Sequence, residues 1–321
     1  MSLLVAITGA TGFAGRHTVS ELLRRGHRLR ALARNPVAAN LPEGVETVPG
    51  DLADAGALKG LVTGADAVVH LAGALTAFDR QGYFRVNVDG SEALIDAALE
   101  AGTRRFVHVS SLAAREPQLS HYAASKRAAE EAVAGRGAEL NAVILRPPAV
   151  YGPGDRGTLP LIRELTRPIA AIPGRPDARF SLIHARDLAR IIAMSLEGKE
   201  QGVMEVSDGK PGGYAWPDLI AAASSLRGAP IRAVFLPRAI PSVVALGAEA
   251  LARIQGRPGM VNRGKIAELY HPNWVSRDGT LALSDAMGFA QGLPETVAWY
   301  RAAGWLPRGA SPDTSPPHSR T

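Results

Sequence analysis

Apolar runs and amphipathic stretches alternate through the first half of the chain. Leu3-Leu4-Val5-Ala6-Ile7 is unbroken and partly β-branched, the pattern of a strand buried on both faces. Over 17–25, Val19, Leu22 and Leu23 share one helical face, and Gly26 supplies a stop. Residues 29–33 predict a second strand, ending at the turn Arg34-Asn35-Pro36. Residues 45–48 predict a third, closed by Pro49-Gly50-Asp51-Leu52, and a helix begins over 58–62. Residues 67–73 read as a fourth strand entering a small-residue turn, and 82–101 as a long helix stopped by Gly102. Residues 105–111 predict a fifth strand, 122–134 the next helix, and 142–147 a sixth strand. Strands alternating with helices over ~150 residues mean an α/β fold, a doubly wound parallel sheet with helices on both faces. Ligands bind such sheets beyond the carboxyl ends of the strands.

After Pro147 this rhythm breaks. Residues 150–155 and 157–160 are turn-rich, and 179–183 predict an excursion strand. His184-Ala185-Arg186-Asp187 leads into a helix over 188–196, and 203–207 is again strand-like. From 210 to 292 the pattern is mainly helical with proline interruptions, and 295–303 make one more helix. The expected division is a first domain over 1–150, with returns near 182–207 and 294–306. A smaller, mostly helical substrate-binding region would cover 151–181 and 208–293. The polar stretch 307–321 reads as a disordered tail. Ile240, Val243, Val244, Leu246 and Leu251 lie near Pro237 and Pro241. They read equally as a helix packed on its own core or as the wall of an apolar pocket.

Between the first strand and its helix stands Thr8-Gly9-Ala10-Thr11-Gly12-Phe13-Ala14-Gly15. In such a turn Gly9 permits tight reversal, Gly12 lets backbone approach a pyrophosphate, and Gly15 lets helix pack on strand. The helix N-terminus then offers free N–H groups and a positive dipole end to phosphates. The spacing is G-x-x-G-x-x-G rather than G-x-G-x-x-G. A unit of this kind is a Rossmann-type dinucleotide-binding domain. Where an NAD-binding unit places an acidic residue for the ribose 2′-hydroxyl, Arg34 stands instead. A guanidinium accommodates a 2′-phosphate, so NADP(H) is favoured over NAD(H).

Tyr122 and Lys126 are four apart on a predicted helix and share one face. A phenol titrates near 10, and a neighbouring ammonium favours the phenolate. Lys126 is also placed to hold cofactor ribose hydroxyls. Ser111, ending the fifth strand, is placed to hydrogen-bond the oxygen that Tyr122 protonates or deprotonates. These residues make an acid/base group, its tuner and an oxygen holder. His70, His108, His121 and His184 show no spacing that argues for a metal.

Taken together, the motifs resemble the extended short-chain dehydrogenases/reductases, the NAD-dependent epimerase/dehydratase family. The resemblance runs nearly to Leu306. It rests on the glycine motif with Gly9, Thr11, Gly12, Phe13, Ala14 and Gly15, and on Asp51-Leu52, which in that family flanks the adenine ring. His70-Leu71-Ala72-Gly73 resembles the segment lining the cofactor, and Asn87 begins a segment similar to the family's N-V-x-G-T helix start. Ser111, Tyr122 and Lys126 match the catalytic positions. The segment Leu145-Arg146-Pro147-Pro148-Ala149-Val150-Tyr151-Gly152-Pro153-Gly154-Asp155 resembles one that abuts the nicotinamide, which adds Pro147 and Val150 to the implied cofactor contacts. His271-Pro272-Asn273-Trp274, the Trp299–Leu306 region and the apolar 240–254 stretch look like the hydroxysteroid-dehydrogenase and dihydroflavonol-reductase side. The resemblance implies an NAD(P)-dependent oxidoreductase that interconverts a hydroxyl and a carbonyl on an apolar small molecule. Two alternatives stand beside it: a nucleotide-sugar epimerase or dehydratase with bound NAD, and a non-catalytic NADP(H)-binding regulator. Arg34 and the short Ser111–Tyr122 loop argue against the first, and the retained Tyr/Lys pair against the second.

Composition changes this picture little. The chain of 321 residues is 46% hydrophobic and 21% charged, ordinary for a soluble protein. It has no cysteine, so disulfides, zinc thiolates and thiol nucleophiles are excluded. No basic leader precedes the first strand and no apolar run reaches ~18 residues, so neither a signal peptide nor a membrane span is expected, and a cytoplasmic location is. The net charge of +6 comes from scattered arginines rather than a stripe, which suits an anionic cofactor better than nucleic acid. There is no internal repeat, and a homodimer is compatible with all of this.

Overall fold

The computed structural model describes residues 2–277 and 280–308. The first lobe runs β1 (Leu4–Thr8), α1 (Phe13–Arg24), β2 (Arg28–Ala33), α2 (Pro36–Ala39), β3 (Val45–Pro49), α3 (Ala55–Val62) and β4 (Ala67–His70). It continues through α4 (Arg80–Phe84), a π-helical turn over Arg85–Asp89, α5 (Gly90–Glu100), β5 (Arg105–Val109), α6 (His121–Ala134) and β6 (Asn141–Arg146). Then follow β7 (Ala149–Tyr151), α7 (Leu159–Leu165), β8 (Ile169–Ile172), β9 (Arg179–Phe180), β10 (Leu182–His184), α8 (Ala185–Glu197) and β11 (Gly202–Glu205). The last elements are β12 (Tyr214–Ala215), α9 (Trp216–Arg227), β13 (Arg232–Phe235), α10 (Ala239–Gln255), α11 (Arg263–Leu269), β14 (Asn273–Trp274) and α12 (Phe289–Ala302).

Seven strands form one parallel sheet in the order β11-β6-β5-β4-β1-β2-β3. This is the Rossmann order with one strand added beside β6. Alternate residues of each strand feed opposite cores, which is why the runs are apolar throughout. Val5, Ile7, Val69 and Val107 pack under α1 and α8, against Val19, Leu22, Leu188 and Ile191. Ala6, Val68, Phe106 and Ile144 face α3, α5 and α6, against Leu58, Leu61, Leu94, Ile95 and Val133. The order reverses between β1 and β4, so the crevice opens at their carboxyl ends, where the glycine motif lies.

A third core holds the second lobe together, built on Tyr151, Ile162, Trp216, Leu219, Phe289, Leu293 and Tyr300. The strand-like 203–207 stretch does return, as β11 on the main sheet. The last helix, expected back in the first domain, instead buries its apolar side chains in this third core as α12. The 210–292 region is also less helical than its pattern suggests. Proline at 230 and 237 brackets a short strand, β13, which pairs with β8. The excursion strand over 179–183 is broken into β9 and β10, which join different small sheets. The turn after Arg34 is a short helix, α2, because the Asn35 side chain caps it by accepting from Ala38 N. The predicted 82–101 helix is interrupted by the π-helical turn that carries Asn87. Of the tail over 307–321, residues 309–321 lie outside the described residues. No described helix is long and apolar enough to cross a membrane.

Helix α10 departs from both sequence readings. Its inward stripe is small: Pro241 and Ala245 are buried, and Ala248 and Ala252 are half-buried. The large apolar residues Ile240, Val243, Val244, Leu246, Leu251 and Ile254 face outward and are each at least half exposed, Ile254 at 84%. They lie outside the three cores and do not line the hollow beside Phe235 and Tyr270.

Candidate active site

The glycine turn is built by close backbone approach. Gly9 has φ +74°, and a Cβ there would lie 2.6 Å from the Ala72 amide nitrogen. A Cβ on Gly15 would run into the carbonyl oxygen of Gly9. Gly12 N donates to Gly9 O at 3.0 Å, and Gly12 begins α1 with no side-chain cap and no acid in the first turn. Free N–H groups at a long helix's start, reached over glycine, fit a pyrophosphate. Thr11 and Gly12 are exposed, Phe13 and Ala14 half-buried. Gly15→Ala is expected to cost about 1–3 kcal/mol of stability by overpacking, read as a shifted denaturant midpoint, with cofactor affinity lost beside it.

The loop after β4 is tied to this turn. Leu71 N donates to Thr8 O at 3.2 Å, and Ala72 N donates to Thr8 Oγ1 at 3.3 Å. A Cβ on Gly73 would lie 3.1 Å from Asn87 Oδ1 and 4.0 Å from Lys126 Nζ. Asn87, implied as a cofactor contact, is buried and engaged elsewhere. Its amide donates to Ala74 O at 3.2 Å and Ser125 Oγ at 2.8 Å, and accepts from Ala74 N at 2.6 Å. These bonds tie the loop to α6. Arg34 is exposed just past β2. Beyond β3, Asp51 is exposed and its Oδ1 accepts from Ala53 N at 2.9 Å, while Leu52 is buried beneath Gly90. Pro147 is buried and its carbonyl accepts from Leu112 N at 2.8 Å; Val150 is half-buried in β7.

Ser111, Tyr122 and Lys126 come together beyond β5. Ser111 caps a short 3-10 turn by accepting from Ala113 N at 3.2 Å. Ser120 caps α6, accepting from Ala123 N at 2.9 Å, so Tyr122 lies in the first turn. Burial pushes the Tyr122 phenol well above its usual range, Glu268 and Tyr83 add to this, and the Ser111 hydroxyl opposes it. Lys126 is buried, and its Nζ donates to Val109 O at 2.9 Å. Burial lowers its pKa to about 8, against the pull of Glu130. Lys126 thus sits one turn from Tyr122 with its ammonium directed at a backbone carbonyl.

Two carboxylates escaped the sequence reading. Glu130 takes Arg146 Nε at 2.9 Å and Nη2 at 2.6 Å, and Ser110 Oγ at 2.5 Å, all buried. Its place four residues after Lys126 was the available signal. Glu268, on α11, accepts from Ser120 Oγ at 2.5 Å and is buried beside the phenol. It lies 146 residues from Tyr122, and nothing local in the sequence marks it. Among the described residues no cluster of His, Asp and Glu could hold a metal ion.

Comparison with known proteins gives four likenesses. Residues 5–206 match the family model described as the NAD dependent epimerase/dehydratase family. The ceramide reductase of Caulobacter vibrioides is 42% identical over 314 residues, covering 95% of this chain and 96% of that protein. A 3 beta-hydroxysteroid dehydrogenase/Delta 5-->4-isomerase of Mycobacterium tuberculosis is 31% identical over 57% of each chain. Among solved structures, the crystal structure of gox2253 superposes with a TM-score of 0.73 at 26% identity, covering 95% of this chain and all of that one.

Proposed function

Because the chain belongs to the NAD-dependent epimerase/dehydratase family and is an NAD(P)-dependent oxidoreductase, we propose that it reduces a ketone on a long-chain, ceramide-like lipid with NADPH. The observation that carries the chemistry is the meeting of Ser111 and the proton-bearing Tyr122 at the crevice, one turn from Lys126. The lipid class is supported by the near full-length likeness to a ceramide reductase. A bound nicotinamide cofactor supplies the hydride. The glycine turn and the α1 N-terminus hold its phosphates, and Gly73 and Lys126 face its ribose side. Ser111 holds the substrate oxygen. Tyr122 donates a proton to that oxygen as negative charge builds on it. A phenol carries its proton at neutral pH, which makes Tyr122 the donor in the reductive direction of this proposal. The test is cofactor consumption with a ceramide-type ketone, set against a nucleotide sugar. Turnover of the sugar alone would overturn the reading.

Arg34 sets the cofactor preference in this proposal, pairing with the 2′-phosphate. Arg34→Ala is expected to weaken NADP(H) by about 1–3 kcal/mol, the worth of a charge-assisted contact, and to leave NAD(H) nearly unchanged. Equal losses for both cofactors in a binding titration would remove Arg34 from this role.

A further inference from the structure

We propose that the outer face of α10 docks the enzyme on an anionic lipid bilayer. The helix is inverted relative to an ordinary surface helix. Alanine and proline form its inner stripe, while Ile240, Val243, Val244, Leu246, Leu251 and Ile254 stand on the water side. Met260 and Val261 extend the patch past its end, at 47% and 44% exposed. A contiguous exposed apolar surface of this kind marks an interaction site. At 17 residues the helix spans roughly 25 Å, enough to lie in a membrane surface and not to cross it.

Charge selects the occupant. Over 238–263 the chain carries Arg238, Arg253, Arg257 and Arg263, all exposed, against the lone carboxylate Glu249. Glu249 is itself engaged, accepting from the Arg263 backbone N at 2.8 Å and facing its guanidinium at 3.2 Å. An apolar face rimmed by arginine fits acyl chains below anionic headgroups. A second copy of the chain fits worse, since a two-fold contact would bring arginine rim against arginine rim, and the segment's one carboxylate, Glu249, is already paired with Arg263. A hollow of about 390 Å³, lined by Phe235, Leu236, Pro237 and Tyr270 among others, opens at the root of the same helix. Helix α10 also leads to the chemistry: it packs on α11, whose Glu268 holds Ser120, the cap of the helix bearing Tyr122. The usefulness of this contact rests on the lipid-substrate reading, but its evidence does not.

The test is co-sedimentation of the full chain, without substrate or cofactor, with two kinds of vesicle. One is equal parts phosphatidylglycerol and phosphatidylcholine; the other is phosphatidylcholine alone. The protein should pellet with the first and far less with the second. Val243→Glu with Val244→Glu should lower partitioning at least ~10-fold. Arg253→Gln with Arg257→Gln should lose several-fold, mainly the preference for anionic vesicles. Reduction of a short, water-soluble ketone should survive in both double variants, which separates this proposal from the catalytic one. Failure to pellet with either vesicle overturns the proposal. So does a dimer in sedimentation velocity that the Val243/Val244 variant converts to monomer while vesicles stay unbound.

Discussion

Tyr122→Phe is expected to lower turnover by ~10²–10⁴-fold, the usual worth of a positioned proton donor. That range corresponds to about 2.7–5.5 kcal/mol in the barrier. The ring remains, and with it the edge-on packing against Tyr83 at 6.3 Å between centroids. The thermal midpoint should therefore hold, and only the hydroxyl's interaction with Ser111 is lost. Ser111→Ala should cost less than Tyr122→Phe, since one neutral hydrogen bond to the substrate oxygen disappears and water can replace it. Lys126→Met should lose turnover and cofactor affinity together. Steady-state kinetics with a separate cofactor titration distinguishes the three. Near wild-type turnover in the phenylalanine variant would end the assignment of Tyr122 as proton donor.

Acid should unfold this protein through two histidines in the first lobe. His70 is fully buried, with Nδ1 2.6 Å from Thr8 Oγ1 and Nε2 2.8 Å from Ser91 Oγ. Burial first, and Lys126 second, lower its pKa to about 3. His108 lies 5.2 Å away between ring centroids, is buried, and has no partner at either ring nitrogen among the described residues. Burial, Lys126 and His70 hold it well below the usual value. Below pH ~6.5 the unfolded chain takes up a proton at each ring and the folded chain does not, so stability falls as pH falls. Above pH ~6.5 this contribution is fully present. For His70 the loss at pH ~4.5 should reach about 2–3 kcal/mol, and His108 adds to it in the same direction. Denaturant midpoints across that range measure it. His108→Phe should make the slope shallower, and an unchanged slope would point to other groups, such as the buried His184.

The first lobe was legible because its constraints are local. A strand buried on both faces must be apolar, and a turn that brings Gly9 against Ala72 must be glycine. Both leave marks in neighbouring residues, as does the four-residue spacing of Tyr122 and Lys126. The second lobe was read less well because its order comes from distant partners. The short strand β13 exists by pairing with β8, some 60 residues earlier in the chain. That Asn87 bonds Ala74 and Ser125 through its amide is visible only in the folded chain. The same holds for Glu268. For α10 the hydrophobic period was visible, but period alone does not say which face turns inward.

Tyr122, Lys126 and Glu130 follow one another at intervals of four along α6, and Glu130 is fastened to Arg146 on β6. The helix thus works as a ruler whose zero is fixed in the sheet. One residue inserted between 122 and 130 would swing the phenol about 100° away from Ser111 while leaving the clamp in place. One inserted at Gln118, the exposed point of the loop before the Ser120 cap, would only lengthen a connection. Length variation among descendants of this chain should therefore collect in that loop and at the second lobe's turns, and spare these nine residues.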